Sequence, residues 1–259
     1  MVDTRATHIQ RIARWCGTWC TAWLSPKYFL QRAPVWSQWT QVVLLLSLGY
    51  GLVGGLFLAP ADYQQGDAFR IIYVHVPCAF WSIGLYIALG MCSLLVLVFN
   101  MRVAEAIARA IAPLGALCTF LALVTGSLWG RPMWGTWWIW DARLTSELIL
   151  LFIYGGYIAL YQAIPERRAA SRIAHLFAVL GLINIPIIHY SVYWWQSLHQ
   201  GATLKWTEPS LIDSSMMYPL LSMMVALGAY SVSVVLRNAA RTLAQQRKVA
   251  QEEQTPWQT

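Results

Sequence analysis

Six stretches of this chain contain no Asp, Glu, Lys or Arg: residues 33–61, 71–101, 110–130, 148–165, 173–204 and 214–236. An α-helix rises 1.5 Å per residue, so about 20 apolar residues carry it across roughly 30 Å of hydrocarbon. Every stretch but the fourth reaches that length alone, and the fourth reaches it with Leu144–Glu147 added. The pattern predicts six spanning helices, at about 41–60, 77–99, 108–128, 144–163, 173–191 and 216–236. Composition agrees. Only 11% of the 259 residues are charged, where a soluble domain has roughly 25%. The chain reads as an all-α integral membrane protein with one helical domain over 41–236, an N-terminal segment over 1–40 and a basic tail over 237–259.

The distribution of the 18 basic residues sets the expected orientation. Arg5, Arg11, Arg14, Lys27, Arg32, Arg102, Arg109, Arg167, Arg168, Arg172, Arg237, Arg241, Arg247 and Lys248 fall in alternate segments. Only Arg70, Arg131, Arg143 and Lys205 fall in the other three loops. The positive-inside rule then places both termini in the cytoplasm. Arg11 and Arg14 before the apolar run from Trp15 imitate a signal peptide, but no small-residue cleavage site follows and Lys27 and Arg32 come next. An amphipathic segment lying on the inner membrane surface, in contact with lipid, fits better. The basic balance thus serves topology, and no nucleic-acid partner is expected. Cys16, Cys20, Cys78, Cys92 and Cys118 form no C-x-x-C and no C-x-x-C-H, so neither a thioredoxin-like pair nor covalent heme attachment is expected.

The expected outer face carries unusual chemistry. The loop over about 129–143 holds Trp129, Trp134, Trp137, Trp138 and Trp140, five of the chain's 15 Trp. An interfacial aromatic belt is the plain reading, but a belt spreads its aromatics over every helix end. Five in one Gly- and Pro-punctuated loop suit a binding surface for a flat ligand with a large π face. His75 and His189 are expected at the same depth, near the outer boundary of the hydrocarbon, while His8 and His175 belong to the cytoplasmic half. Neutral imidazole is a good iron ligand, and two from different helices can clamp heme axially. Arg70 and Arg143 are either interface anchors or partners for the heme propionates. Asp141 can pair Arg143 or receive an imidazole N–H. His175 and His189 lie about 21 Å apart along one helix, but the position matching this spacing after His75 is Leu89, so a stacked two-heme scheme is disfavoured. His199 and the 191–215 loop read as either a lid or an ordinary loop.

The run Trp129-Gly-x-x-x-Trp134-x-x-Trp137-Trp138-x-Trp140-Asp141-x-Arg143-Leu144-Thr145 resembles the tryptophan-rich "WWD" signature of heme-handling proteins in cytochrome c maturation. With Tyr73-Val-His75-Val-Pro77, Pro186-Ile-Ile-His189-Tyr190-Ser191 and the six-helix size, the chain is similar to the heme exporter protein C (CcmC) family over roughly residues 35–240. That resemblance implies heme b held by two axial ligands, His75 and His189, at the periplasmic face of the bacterial inner membrane. It implies that Trp129, Trp134, Trp137, Trp138, Trp140 and Asp141 form the contact surface for heme and acceptor. The implied acceptor is a membrane-anchored periplasmic heme chaperone, CcmE, and the implied complex includes the ABC transporter subunits CcmA and CcmB and the single-helix subunit CcmD. Heme transport and handover are then expected, with attachment to the chaperone assisted by positioning and no independent catalytic residue. The competing readings are a redox subunit that retains its heme, and a scaffold that binds protein or lipid through the Trp loop.

Overall fold

The computed structural model describes residues 25–195, 199 and 212–254. Among these, seven α-helices account for nearly all of the ordered backbone. Ser25 starts α1 (Pro26–Val53): its side chain accepts from Tyr28 N–H at 3.3 Å, and Pro26 occupies the first turn, where no N–H is needed. A π turn, Gly54–Leu58, extends α1, and a 3₁₀ turn, Asp67–Ile71, leads into α2 (Ile72–Phe99). Asn100 adopts a left-handed backbone (φ 51°) and turns the chain into α3 (Arg102–Trp134). Asp141 caps α4 (Ala142–Ala163), and Glu166 caps α5 (Arg167–Gly181) by accepting from two backbone N–H groups. The last two helices are α6 (Asn184–Trp194) and α7 (Ser214–Gln254).

Six helical spans, with α5 and α6 together forming the fifth, are long and apolar enough to cross a membrane. The sequence pattern had them, but several of their bounds differ and one span is broken. The first begins at Pro26, not near residue 41, because the Ser25–Pro26 cap carries the helix into the segment expected to lie on the surface. The third continues to Trp134, so Trp129 and Trp134 are helical and the Trp loop shrinks to residues 135–141. The fifth is interrupted at Leu182 and Ile183, which turn tightly onto Val179 O and Leu180 O. Pro186 is the cause: it has no N–H to return to Leu182 O, and Ile185 N–H takes that carbonyl at 3.1 Å. The sixth runs on through the basic tail to Gln254. The expectations for Cys16, Cys20, His8 and Lys205 lie outside the described residues; Cys78, Cys92 and Cys118 are free thiols.

Helix α1 lies along α7 and α2 along α3, with α3 also packed on α4 and α7, and α4 packed on α5 and α6. The core is drawn together by small residues. Ala104, Ala106, Ala108, Ala110 and Ala112 of α3 are buried, and at Gly115 a Cβ would fall on the Tyr154 ring. Successive spans run antiparallel, so residues 59–71 and 135–141 lie at one end of the bundle. The turns at 100–101 and 164–166 lie at the other. That second end holds a polar cluster around fully buried His175. Its Nδ1 meets Ser93 Oγ at 2.9 Å, its Nε2 meets Tyr161 O–H at 3.2 Å, and Tyr161 donates to Glu105 at 2.6 Å.

Candidate functional site at the tryptophan end

His75 lies in the first turn of α2, half-buried against α3. Its Nδ1 is 3.1 Å from Thr125 Oγ1, whose own proton goes to Leu121 O at 2.6 Å. The threonine oxygen therefore accepts, and Nδ1 carries the hydrogen. An imidazole in that tautomer keeps a lone pair on Nε2. This is how metal-binding histidines are commonly held, with the outer nitrogen bonded to a second group and the inner one aimed at the metal. The ring stands edge-on to Trp129 at 5.7 Å, and a Cβ at Gly126 would come within 3.0 Å of Cε1. Trp129 Nε1–H donates to Gln65 Oε1 at 2.8 Å, which ties the end of α3 to the hairpin between α1 and α2.

Beyond Trp134 the backbone can turn because Gly135 takes φ 76°, where a side chain would be strained. The Arg131 guanidinium donates to Gly135 O and sits over the Trp137 ring at 5.9 Å. Trp138 and Trp140 meet edge to face at 5.4 Å. Trp137 and Trp140 are 56% and 76% exposed, a large area of aromatic surface for a loop this short. Trp138 Nε1–H is buried without a hydrogen-bond partner among the described residues. Asp141 divides its carboxylate: Oδ1 accepts from Leu144 N–H at 2.7 Å to cap α4, and Oδ2 lies 3.8 Å from His199 Nδ1. His199 packs on Trp134 at 5.0 Å. Burial first, and then the positive charge of Arg143, push its pKa down to about 4 against the pull of Asp141, so it is neutral at pH 7.

Arg143 is the electrostatic hub. Half-buried, it faces the charges of Glu147 and Asp141 and the phenol of Tyr193, and its field reaches His75 and His199. Arg70 is engaged elsewhere, bonded to Asp67 at 3.1 Å and to Gly55 O at 2.7 Å, where it fastens the hairpin. His189 is exposed on α6, edge-on to Tyr190 at 4.8 Å. Tyr190 stacks on Trp194 at 5.4 Å, and Trp194 meets Trp195 at 5.8 Å, a second aromatic array that the sequence reading did not single out. Its signal was present in the i, i+4 spacing of Tyr190 and Trp194. The structure thus gathers His75, Trp129, Trp134, Asp141, Arg143 and His199 around the ends of α2, α3 and α4, with His189 on the neighbouring α6. Among the described residues no group of three or more His, Cys, Asp or Glu is arranged to hold a bare metal ion.

A flat ligand that brings its own metal fits this end of the bundle: one imidazole lone pair, an indole N–H awaiting an acceptor, a guanidinium and two exposed indole faces. Fold and side-chain placement together define a multi-pass helical membrane protein with histidines and tryptophans gathered at one end. The family model described as Heme exporter protein C matches residues 19–254. The Heme exporter protein C of Escherichia coli (strain K12) is 46% identical over 222 residues, covering 85% of this chain and 86% of its own. That of Bradyrhizobium diazoefficiens is 42% identical over 227 residues, with the same coverage of 85% and 86%. A "Putative cytochrome c biosynthesis ccmC-like mitochondrial protein" of Marchantia polymorpha is 46% identical over 165 residues, 64% of this chain and 69% of its own. The chain belongs to the heme exporter protein C family.

Proposed function

We propose that this protein holds heme at the periplasmic face of the bacterial inner membrane and hands it to the membrane-anchored chaperone CcmE during cytochrome c maturation. The observation that carries the reading is the hydrogen bonding of His75, which commits Nδ1 to Thr125 and leaves the Nε2 lone pair for iron. His189, exposed on α6, is the second axial ligand, and the bound cargo is heme b. Two imidazoles fill the iron's axial positions and suit safe carriage better than oxygen or substrate chemistry. The exposed Trp137 and Trp140 cover the macrocycle and meet the acceptor, and Trp129, Trp134 and Trp138 support them. Asp141 holds the start of α4 in place, and Arg143 receives the propionates in preference to Arg70, which is already bonded to Asp67 and Gly55 O. The distribution of basic residues supports cytoplasmic termini and a periplasmic Trp end. CcmA, CcmB and CcmD are the partners expected within the membrane complex. The protein's work is transport and positioning; attachment to the chaperone takes place on the chaperone's own side chain.

An absorption spectrum tests this. Purified protein supplemented with hemin should show a low-spin Soret band that His75→Ala and His189→Ala each abolish or shift. Addition of apo-CcmE should deplete it. A band indifferent to both substitutions would move the heme elsewhere, and no band at all would favour a scaffold.

A further inference from the structure

Glu147 is a carboxylate where a membrane protein rarely keeps one. It lies one turn below Arg143 on α4, 8% exposed, within a span that crosses the membrane. An intramembrane ionisable group is costly to bury, and a paired or functional role is the usual reason it persists. Two things hold it. Ser82 of α2, itself fully buried, donates to Glu147 Oε1 at 2.7 Å. The spacing i, i+4 on one helix face puts it beside Arg143, and its charge faces the guanidinium. The surroundings are rigid: Tyr154 O–H donates to Ser82 O at 2.8 Å, and Asn184 Nδ2 donates to Ser146 O at 2.9 Å, which fixes α2 and α6 on either side of α4. Asp141, the other carboxylate facing Arg143, already uses one oxygen as the α4 cap.

Glu147 and Arg143 are not in ion-pair contact, however, since no oxygen of one lies within 4.0 Å of a nitrogen of the other. A guanidinium poised near a buried carboxylate without closing on it can turn to a second carboxylate arriving from outside. We propose that Glu147 is a positioning residue that competes with the carboxylates of the cargo for Arg143. When cargo is absent it supplies the counter-charge that lets Arg143 remain half-buried. When cargo is bound it weakens the grip of Arg143 on the cargo's carboxylates and so speeds release. The inference rests on the heme-holding reading above.

Release of hemin from the purified full-length protein to a high-affinity apo-globin scavenger, followed at the Soret band, separates the possibilities. Glu147→Gln preserves size and the Ser82 hydrogen bond while removing the charge, and should slow release about tenfold. The same comparison with hemin dimethyl ester, which has no free carboxylates, should show no difference between the two proteins. Unchanged or faster release of hemin from the variant would overturn the proposal, and so would equal slowing for both ligands. Should Glu147→Gln fail to fold, Ser82→Ala unties the carboxylate from α2, and hemin release should then become faster; no change would refute the idea. Failure of the wild type to bind hemin at all is a separate result, which sinks the heme-holding reading itself.

Discussion

Replacing Thr125 by Val isolates the feature on which the heme reading depends. Valine keeps the shape of threonine and stays in the membrane-buried face of α3, but it cannot accept the Nδ1–H of His75. The substitution leaves the imidazole in place and loosens its orientation and tautomer. A second carbonyl stands nearby, because Ala122 O lies 3.3 Å from Thr125 Oγ1 on the same turn of α3. The loss is therefore partial. One neutral hydrogen bond contributes about 1 kcal/mol net, and removing such a second partner from a metal-bound histidine commonly weakens binding 10- to 100-fold. With Ala122 available, the lower end applies, and hemin should bind about 5- to 10-fold more weakly. Hemin titration of the detergent-purified protein measures this, with His75→Ala as the reference for complete loss of the ligand. An unchanged affinity would mean that Thr125 does not orient an iron ligand, and an effect as large as that of His75→Ala would mean that Thr125 is needed for the fold.

Trp138→Phe removes an indole N–H that is buried without a partner among the described residues. It should weaken hemin binding severalfold while leaving the melting temperature unchanged or raised, because an unsatisfied buried donor is a liability to the empty protein; a lowered Tm with unaltered binding would contradict this. Gly115→Ala places a methyl group on the ring of Tyr154, a fully buried residue. Overpacking of that kind costs about 2–3 kcal/mol, visible as a lower Tm in detergent; an unchanged Tm would show that α3 and α4 separate easily. Burial first, and then the charge of Arg143, take His199 from an ordinary pKa of 6.5 to about 4. Its packing is complete above pH 6.5 and weakens as the pH falls toward 4, since the undocked ring takes up a proton that the docked ring refuses. Tryptophan fluorescence should follow that change in the wild type and lose it in His199→Phe.

How much of this was legible in the sequence depended on whether the membrane or the neighbours decided the matter. Hydrocarbon imposes a composition on every residue that crosses it, so the six spans could be read directly. Their ends depend on single groups. The Ser25–Pro26 cap lengthened α1, and Gly135 rather than Trp129 ended α3, so a loop expected over 129–143 became seven residues between two helices. Pro186 was visible, but a break in a uniformly apolar stretch leaves no mark in hydropathy. Glu147 was hidden for a different reason. It was needed to bring the fourth stretch up to spanning length, and its role appeared only when Ser82, far away in sequence, was found bonded to it. Thr125 was likewise an ordinary helical threonine until α2 brought His75 against it.

Two histidines at opposite ends of the same bundle explain why chemistry belongs at one end. Both are packed between helices, and both have Nδ1 beside a hydroxyl. At His175 the second nitrogen is also occupied, facing Tyr161 O–H, and that hydroxyl passes its own proton to Glu105. Every donor and acceptor of that imidazole is matched, and with no exposure there is no approach for a ligand. Such a network ties α2, α3, α4 and α5 together, and an iron atom could enter only by breaking two hydrogen bonds. At His75 the arrangement stops one bond short: Thr125 takes Nδ1, and among the described residues no hydrogen bond is made to Nε2. Trp138 shows the same incompleteness in its indole N–H, which finds no partner among the described residues, and half-buried Arg143 faces the charges of Glu147 and Asp141. His75, Trp138 and Arg143 lie where α2, α3 and α4 end together, and under the proposed function a ligand that brings an iron, an aromatic plane and carboxylates would engage all three.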